Sequence, residues 1–466
     1  MKANPHTRLL ARLVLLIIVL VLVTRLVGFV VKFGNESLQM DLAAYYAAGQ
    51  SVQAGESPYL NHIDRDPPIW DGVNVFRHSR FLYPPLVANA FGLLALVPYY
   101  PLKFLWMALT LLALVATLVV AVRLARLEPT PGEWLVLAVV ACSYYPVLTL
   151  LERGQLDAFT LLLIVIALAL MRSRRPRSSF AAGVLFSLAS LLKLNCAFLL
   201  PFLLIRRRWR VAAGFVLGGI GLLGLDLAVD GPSEVQRYLF RELPRISEHG
   251  EGGTREMSLP RAAFASVMRD VEPGKTVIDG RSYPPTYFHF VLNGALVQAW
   301  PGDLIRRATR AAGRPEPHLS HLALLFLAGF CLLFFFWQRR SGLPWSASWS
   351  DREPAYWLSV LVVVLLSGPV TWAMSTVWLL PVVPVVLREV PRLSGVRHTV
   401  AVLGCVLGLF LVGAPDPYGN FMLSPFGQGV LDGKYVLGQL LCLAGLMGLW
   451  GGAGAQRTDR GSTPVA

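Results

Sequence analysis

The chain has 466 residues, of which 55% are hydrophobic and only 15% charged, with a formal net charge of +14. Soluble domains average about 25% charged residues, so these values exclude a disordered chain, a secreted disulfide scaffold and an ordinary cytosolic enzyme. They leave a polytopic membrane protein, with a mean hydropathy of +0.55.

Lys2, Arg8 and Arg12 precede the apolar run at residues 13–23. Thr24-Arg25 interrupts that run without a small-x-small cleavage site, and apolar character resumes to Val31. The pattern predicts an uncleaved first span at 9–31 with a cytoplasmic N-terminus. Further spans are expected at 102–122, 133–150, 156–171, 211–229, 322–337, 357–370, 377–387, 400–412 and 435–450, against the roughly 20 residues that a span requires. Residues 84–98 are short and bracketed by prolines. Residues 180–205 are long, with Lys193 in the middle and arginines at both ends. Either 84–98 spans and 180–205 is one tilted helix, or 84–98 is interfacial and 180–205 is a hairpin. Both give about 12 transmembrane helices, and charge favours the hairpin. The five cysteines all lie in apolar blocks and read as packing residues.

The expected organisation is one integral membrane domain over 1–466, with extracytoplasmic loops at 32–82 and 230–321 and a cytoplasmic tail at 451–466. The loops carry 16 cations and 17 acids, whereas the segments assigned to the inner side carry 21 cations and six acids. The positive charge is therefore an orientation signal, and nucleic acid is excluded as a partner. His318 and His321 form an HxxH pair without a Glu between them in the metalloprotease pattern, so a zinc site finds little support.

The candidate chemistry begins at Asp41, where the chain leaves the first span. The helical run after it places Leu42, Tyr45, Tyr46, Gly49 and Val52 along a face and reads as an interfacial helix. Asp41 suits a helix N-cap as well as a catalytic carboxylate, and spacing alone favours the cap. Gly55-x2-Pro58-Tyr59 is a turn, and Phe81-x-Tyr83-Pro84-Pro85 opens a helix. Glu152-Arg153-Gly154-Gln155-Leu156-Asp157 packs charge into a span junction, which reads either as a functional site or as a surface ion pair. Lys193 in an apolar block snorkels or meets an anionic partner, a lipid phosphate or an acidic side chain. Trp372 suits an interfacial belt.

Taken in order, Asp41-x3-Tyr45-Tyr46-x2-Gly49, Gly55-x2-Pro58-Tyr59, Phe81-x-Tyr83-Pro84-Pro85, Gly154-Gln155, Lys193 and Ser367…Trp372 resemble glycosyltransferase family 87. The resemblance runs from about residue 35 to 210 and again at 360–390. It implies an all-α GT-C-type helical bundle with two extracytoplasmic capping loops, in the plasma (inner) membrane. It also implies transfer of a sugar, mannose favoured, from a polyprenyl-phosphate donor to a lipid- or glycan-linked hydroxyl, by a single inverting displacement. Asp41 matches the catalytic carboxylate. Lys193 and Arg153 are expected at the donor phosphate, and Tyr45, Tyr46, Tyr83, Gln155, Asp157 and Trp372 at the substrates. No metal or cofactor is expected, the lipid-linked sugar being a substrate. The chain departs from the family in two places. Asp157 stands where Asn is common, and Ala373-Met374-Ser375 supply no His shortly after Trp372. Competing readings are a lipid-linked-sugar flippase or transporter, a GT-C enzyme using another pentose or hexose, and a non-catalytic scaffold.

Overall fold

A computed structural model describes residues 5–35, 40–60, 62, 66–73, 81–173, 175–244, 276–278, 281–283, 300–315, 317–340, 349–368, 371–414 and 425–451. Most of the loop expected at 230–321 and nearly all of the tail expected at 451–466 lie outside these residues, as do His78, His249, His289 and Glu316. The regular elements among the described residues are helices apart from one hairpin, strands Thr276–Ile278 and Arg281–Tyr283, paired antiparallel with Ile278 opposite Arg281.

Among the described residues six helices are long and apolar enough to cross a membrane: Leu13–Asn35, Tyr99–Ala125, Trp209–Glu242, Leu319–Arg340, Gly395–Gly413 and Gly433–Gly451. Two bent pairs raise the number to eight, Pro131–Ser143 with Tyr145–Arg153 (46°) and Ala373–Leu379 with Val382–Arg392 (42°). Both bends sit near prolines, Pro146 and Pro381, which remove a backbone donor and crowd the preceding turn. The chain is thus a multi-pass membrane protein. Of the about 12 transmembrane helices expected, several of them short, six to eight reach this length among the described residues. The other four apolar segments are helices of 16 residues at 157–172, 17 at 176–192, 12 at 194–205 and 15 at 353–367. At about 1.5 Å per residue they are shorter than the roughly 30 Å of a hydrocarbon core.

The helices that position the site are α1 (Pro5–Asn35), α2 (Met40–Gln53), α3 (Pro85–Leu94), α4 (Tyr99–Ala125), α5 (Pro131–Ser143), α6 (Tyr145–Arg153), α7 (Asp157–Arg172), α8 (Pro176–Leu192), α9 (Leu199–Ile205) and α10 (Trp209–Arg237). α2 is more enclosed than an interfacial helix, with residues 42–48 all buried. Its sequence Leu-Ala-Ala-Tyr-Tyr-Ala-Ala is apolar around the whole circumference, and such helices pack on every side. α10 runs past the expected loop start at 230. It breaks only at Gly231 (φ 78°), and Pro232 opens the continuation.

The segment at 180–205 is a hairpin. α8 stops at Lys193, whose backbone is extended (φ −150°, ψ 104°). A 3₁₀ turn (Leu194–Phe198) and α9 then lead back. α8 and α10 pack side by side and run parallel: Gly183 faces the Val211 carbonyl, Gly214 faces the Phe180 carbonyl, and Ser187 meets Gly218. Parallel neighbours require the chain between them to reverse direction, so the arginines before α8 and after α9 share one end of the bundle.

That end is held by buried charge. Arg206, inserted at 2% exposure, pairs with Glu353 and donates to Gln338 Oε1 at 2.9 Å. Trp357 Nε1 donates to Glu353 Oε2 at 2.9 Å. Arg388 Nη1 donates to the carbonyl oxygens of Ala125 and Asp351, each at 3.0 Å, and Arg126 pairs with Asp351. Arg172 Nη1 reaches the Arg123 carbonyl at 3.0 Å.

The close α8–α10 contact makes a prediction. A side chain at residue 183 overlaps the α10 backbone, and overpacking of this kind costs about 1–3 kcal/mol. Gly183→Leu should therefore lower the unfolding temperature in detergent. Gly221→Ala, which meets open space, should leave it unchanged. Equal melting temperatures for both variants would exclude the parallel pair.

Candidate active site

At the end of α7 opposite the basic cluster, residues 153–157 form a tight turn between α6 and α7. Gly154 adopts a left-handed conformation (φ 71°, ψ 34°) that ends α6, and its N–H closes on Leu150 O. Left-handed backbone favours glycine because a Cβ clashes with the carbonyl. Trp106 Nε1 on α4 donates to Gly154 O at 2.8 Å and fixes the turn from the side. Side chains from four other segments meet the residues of this turn.

Arg153 engages Asp41 through the Nε–Nη2 edge of its guanidinium. Its Nη2 donates to Asp41 Oδ1 at 2.9 Å and its Nε donates to Oδ2. The two side chains are 10% and 13% exposed. Asp41 stands in the first turn of α2, which brings the carboxylate and the arginine together across 112 positions.

Gln155 is the second meeting point. Tyr45 OH donates to its Oε1 at 3.1 Å, Tyr83 OH donates to the same atom at 3.3 Å, and the two hydroxyls lie 2.9 Å apart. Their rings meet edge to face at 5.2 Å. Burial pushes both phenols well above the ordinary tyrosine value, so both remain protonated. Tyr46, one residue on, points elsewhere. Its hydroxyl donates to Val97 O at 3.1 Å and its ring meets Tyr99. The structure does not bring Tyr46 to the cluster.

Asp157 is the third. It is fully buried, and its Oδ2 accepts from Lys193 Nζ at 2.6 Å. Lys193 also donates to Ser375 Oγ at 2.8 Å. The extended backbone at 193 ends α8 where its side chain reaches both. Trp372 is half-buried just before the 3₁₀ segment Ala373–Leu379, and its carbonyl accepts the Ser375 N–H at 2.9 Å. Asp157 is thus an acidic partner of Lys193.

The first loop and α3 are tied to α10 by a row of carboxylates four residues apart. Asp226 Oδ1 accepts the Leu86 N–H at 3.0 Å, Asp230 accepts from Asn89 at 2.5 Å, and Glu234 accepts from Ser57 at 2.7 Å. Tyr59 donates to the Tyr83 carbonyl at 2.7 Å and stacks with Tyr238 at 6.0 Å. These contacts set the position of Tyr83. Sequence reasoning did not single out Trp106, Asp226, Asp230, Glu234 or Ser375. The signal for Ser375 was the need of a buried ammonium for more than one acceptor. His318 and His321 meet edge to face at 5.3 Å, and among the described residues no group of three His, Cys, Asp or Glu forms a metal site.

A family model described as Glycosyltransferase family 87 matches residues 81–315. Two relatives carry the name polyprenol-phosphate-mannose-dependent alpha-(1-2)-phosphatidylinositol pentamannoside mannosyltransferase. One, from Mycobacterium tuberculosis (strain CDC 1551 / Oshkosh), is 25% identical over 293 residues, 62% of this chain and 59% of the relative. The other, from Mycolicibacterium smegmatis (strain ATCC 700084 / mc(2)155), is 23% identical over 291 residues, 62% of each. The chain thus spans about three fifths of the length of these relatives.

The Lys193–Asp157 pair predicts a stability coupling. Removing one partner of a buried pair leaves an uncompensated charge and costs about 3–5 kcal/mol. Asp157→Ala should destabilise by that order, and the double variant Asp157→Leu with Lys193→Met should recover most of the loss. Additive losses in a thermal-unfolding double-mutant cycle would show that the two do not interact.

Proposed function

The chain belongs to glycosyltransferase family 87, and from that membership we propose a membrane mannosyltransferase that takes its sugar from a polyprenyl phosphate. The donor class and a lipid-linked acceptor are supported by the names of the two relatives. In this reading the turn at 153–157 faces the extracytoplasmic side of the plasma (inner) membrane, and both termini are cytoplasmic. The observation that carries it is the gathering of Asp41, Gln155 and Lys193 around one turn.

Transfer from a phosphate carrier requires a base at the acceptor oxygen and positive charge at the leaving phosphate. Asp41 takes the acceptor proton while that oxygen attacks the anomeric carbon. The sugar–phosphate bond breaks, its electron pair leaves with the phosphate oxygen, and the single displacement inverts the anomeric configuration. Lys193 neutralises the leaving phosphate. An ammonium has three donors; Asp157 and Ser375 accept two, and the third is assigned to a phosphate oxygen. Tyr45 and Tyr83 both donate to Gln155 Oε1, which turns the amide N–H groups toward an oxygen of donor or acceptor. Trp372 lines the donor side next to Ser375. Side chains supply the positive charge, and the lipid-linked sugar is the substrate. Tyr46 has a structural role under this assignment.

The test is transfer in proteoliposomes with radiolabelled polyprenyl-phosphate mannose and a phosphatidylinositol mannoside acceptor. Asp41→Asn should fold and lose transfer by about 10²–10⁴-fold; turnover near wild type would sink the assignment. Lys193→Met should weaken donor use strongly, and unchanged donor dependence would remove Lys193 from the site.

A further inference from the structure

The two cations at the turn are held in different ways. Lys193 is a point charge with one donor left after its two hydrogen bonds. Arg153 presents the Nε–Nη2 edge of its guanidinium to both oxygens of one carboxylate. That side-by-side arrangement defines the plane of the carboxylate as well as its position. Both ends of the contact are anchored. Arg153 is the last residue of α6, directly before the left-handed Gly154 whose carbonyl is taken by Trp106. Asp41 lies in the first turn of α2, and α2 is pressed so close to α3 that a Cβ at Gly49 would lie 2.5 Å from the Phe91 carbonyl oxygen. The Nε–Nη2 edge that is held on Asp41 is committed to orienting it. A carboxylate has about four acceptor positions, so those not used by the fork can still receive a proton.

The geometry points to Arg153 as the positioning residue for Asp41 and not as a second ligand of the donor phosphate. This inference rests on Asp41 being the base of the proposed transfer. It divides the labour at the turn: Arg153 aims the carboxylate at the acceptor, and Lys193 alone meets the leaving group.

The test uses the full-length protein, with Arg153→Met and Arg153→Lys as variants and Lys193→Met as the comparison. Kinetics in proteoliposomes should show kcat about 100-fold lower in Arg153→Met, the order expected for a misplaced catalytic group. Its KM for polyprenyl-phosphate mannose should stay within about twofold of wild type. Added guanidinium should restore part of the rate. Arg153→Lys, which keeps the charge and loses the fork, should also fall in kcat with donor KM unchanged. A tenfold or larger rise in donor KM with kcat retained, matching Lys193→Met, would overturn the assignment in favour of a phosphate ligand.

A second readout needs no turnover. Asp41 should resist a hydrophobic carbodiimide in the wild type and be labelled at least tenfold more in Arg153→Met, read by peptide mass spectrometry. Equal labelling in both would overturn the inference even if transfer is normal. Absence of any transfer by the wild type would instead defeat the reading of the function, and the labelling would still decide the role of Arg153.

Discussion

Charge inside an apolar bundle must be neutralised locally, and that constraint shapes both ends of this protein. Ion pairs among the described residues meet it, among them Asp41 with Arg153, Asp157 with Lys193, and Glu353 with Arg206. An isolated ion in such surroundings costs several kcal/mol, so each of these residues requires a partner before its helix can pack. The partners come from segments far apart in the chain, and satisfying them fixes which helix ends lie together. Two of the pairs meet at residues 153–157. Gly154 makes this possible, because the reversal from α6 to α7 takes a left-handed residue and aims Arg153, Gln155 and Asp157 at different neighbours.

The remaining structure supports that turn. Trp106 fixes its backbone, and the carboxylates of α10 dock the first loop and α3 so that Tyr83 reaches Gln155. At the other end, Glu353, Gln338 and the arginines join helices into a base. The two ends differ in chemistry. The base is an arginine-rich tie between helix ends and backbone carbonyls. The site end holds two ion pairs beside a hydroxyl–amide cluster whose phenols stay protonated.

Much of this organisation was legible in the sequence. Apolar blocks became helices nearly where hydropathy placed them, and the clustering of arginines separated the two options for 180–205, because like charges at both ends of a segment imply reversal. Asp41, Arg153, Gln155, Asp157 and Lys193 were visible as polar residues in costly places. Which of them paired was not. Lys193 meets Asp157 from 36 positions away and Ser375 from 182, and one-dimensional pattern carries no information about such distances. Tyr45 and Tyr46 look equivalent in sequence, yet a helical residue turns about 100° from its neighbour, so only Tyr45 faces Gln155. Hydropathy marked the apolar segments but not their helix ends, and among the described residues six to eight of these helices are long enough to span.

The shortness of helix Glu353–Ser367 has a wider meaning. Every one of its 15 residues is buried, so protein encloses it on all sides and acyl chains never touch it. Hydrophobic mismatch acts only on surfaces that lipid wets. Bilayer thickness therefore constrains the periphery, above all α1, whose apolar stretch is unburied, and leaves the centre free to follow the geometry of the site. A thicker or thinner membrane would tilt the outer helices while the middle of the bundle kept its length.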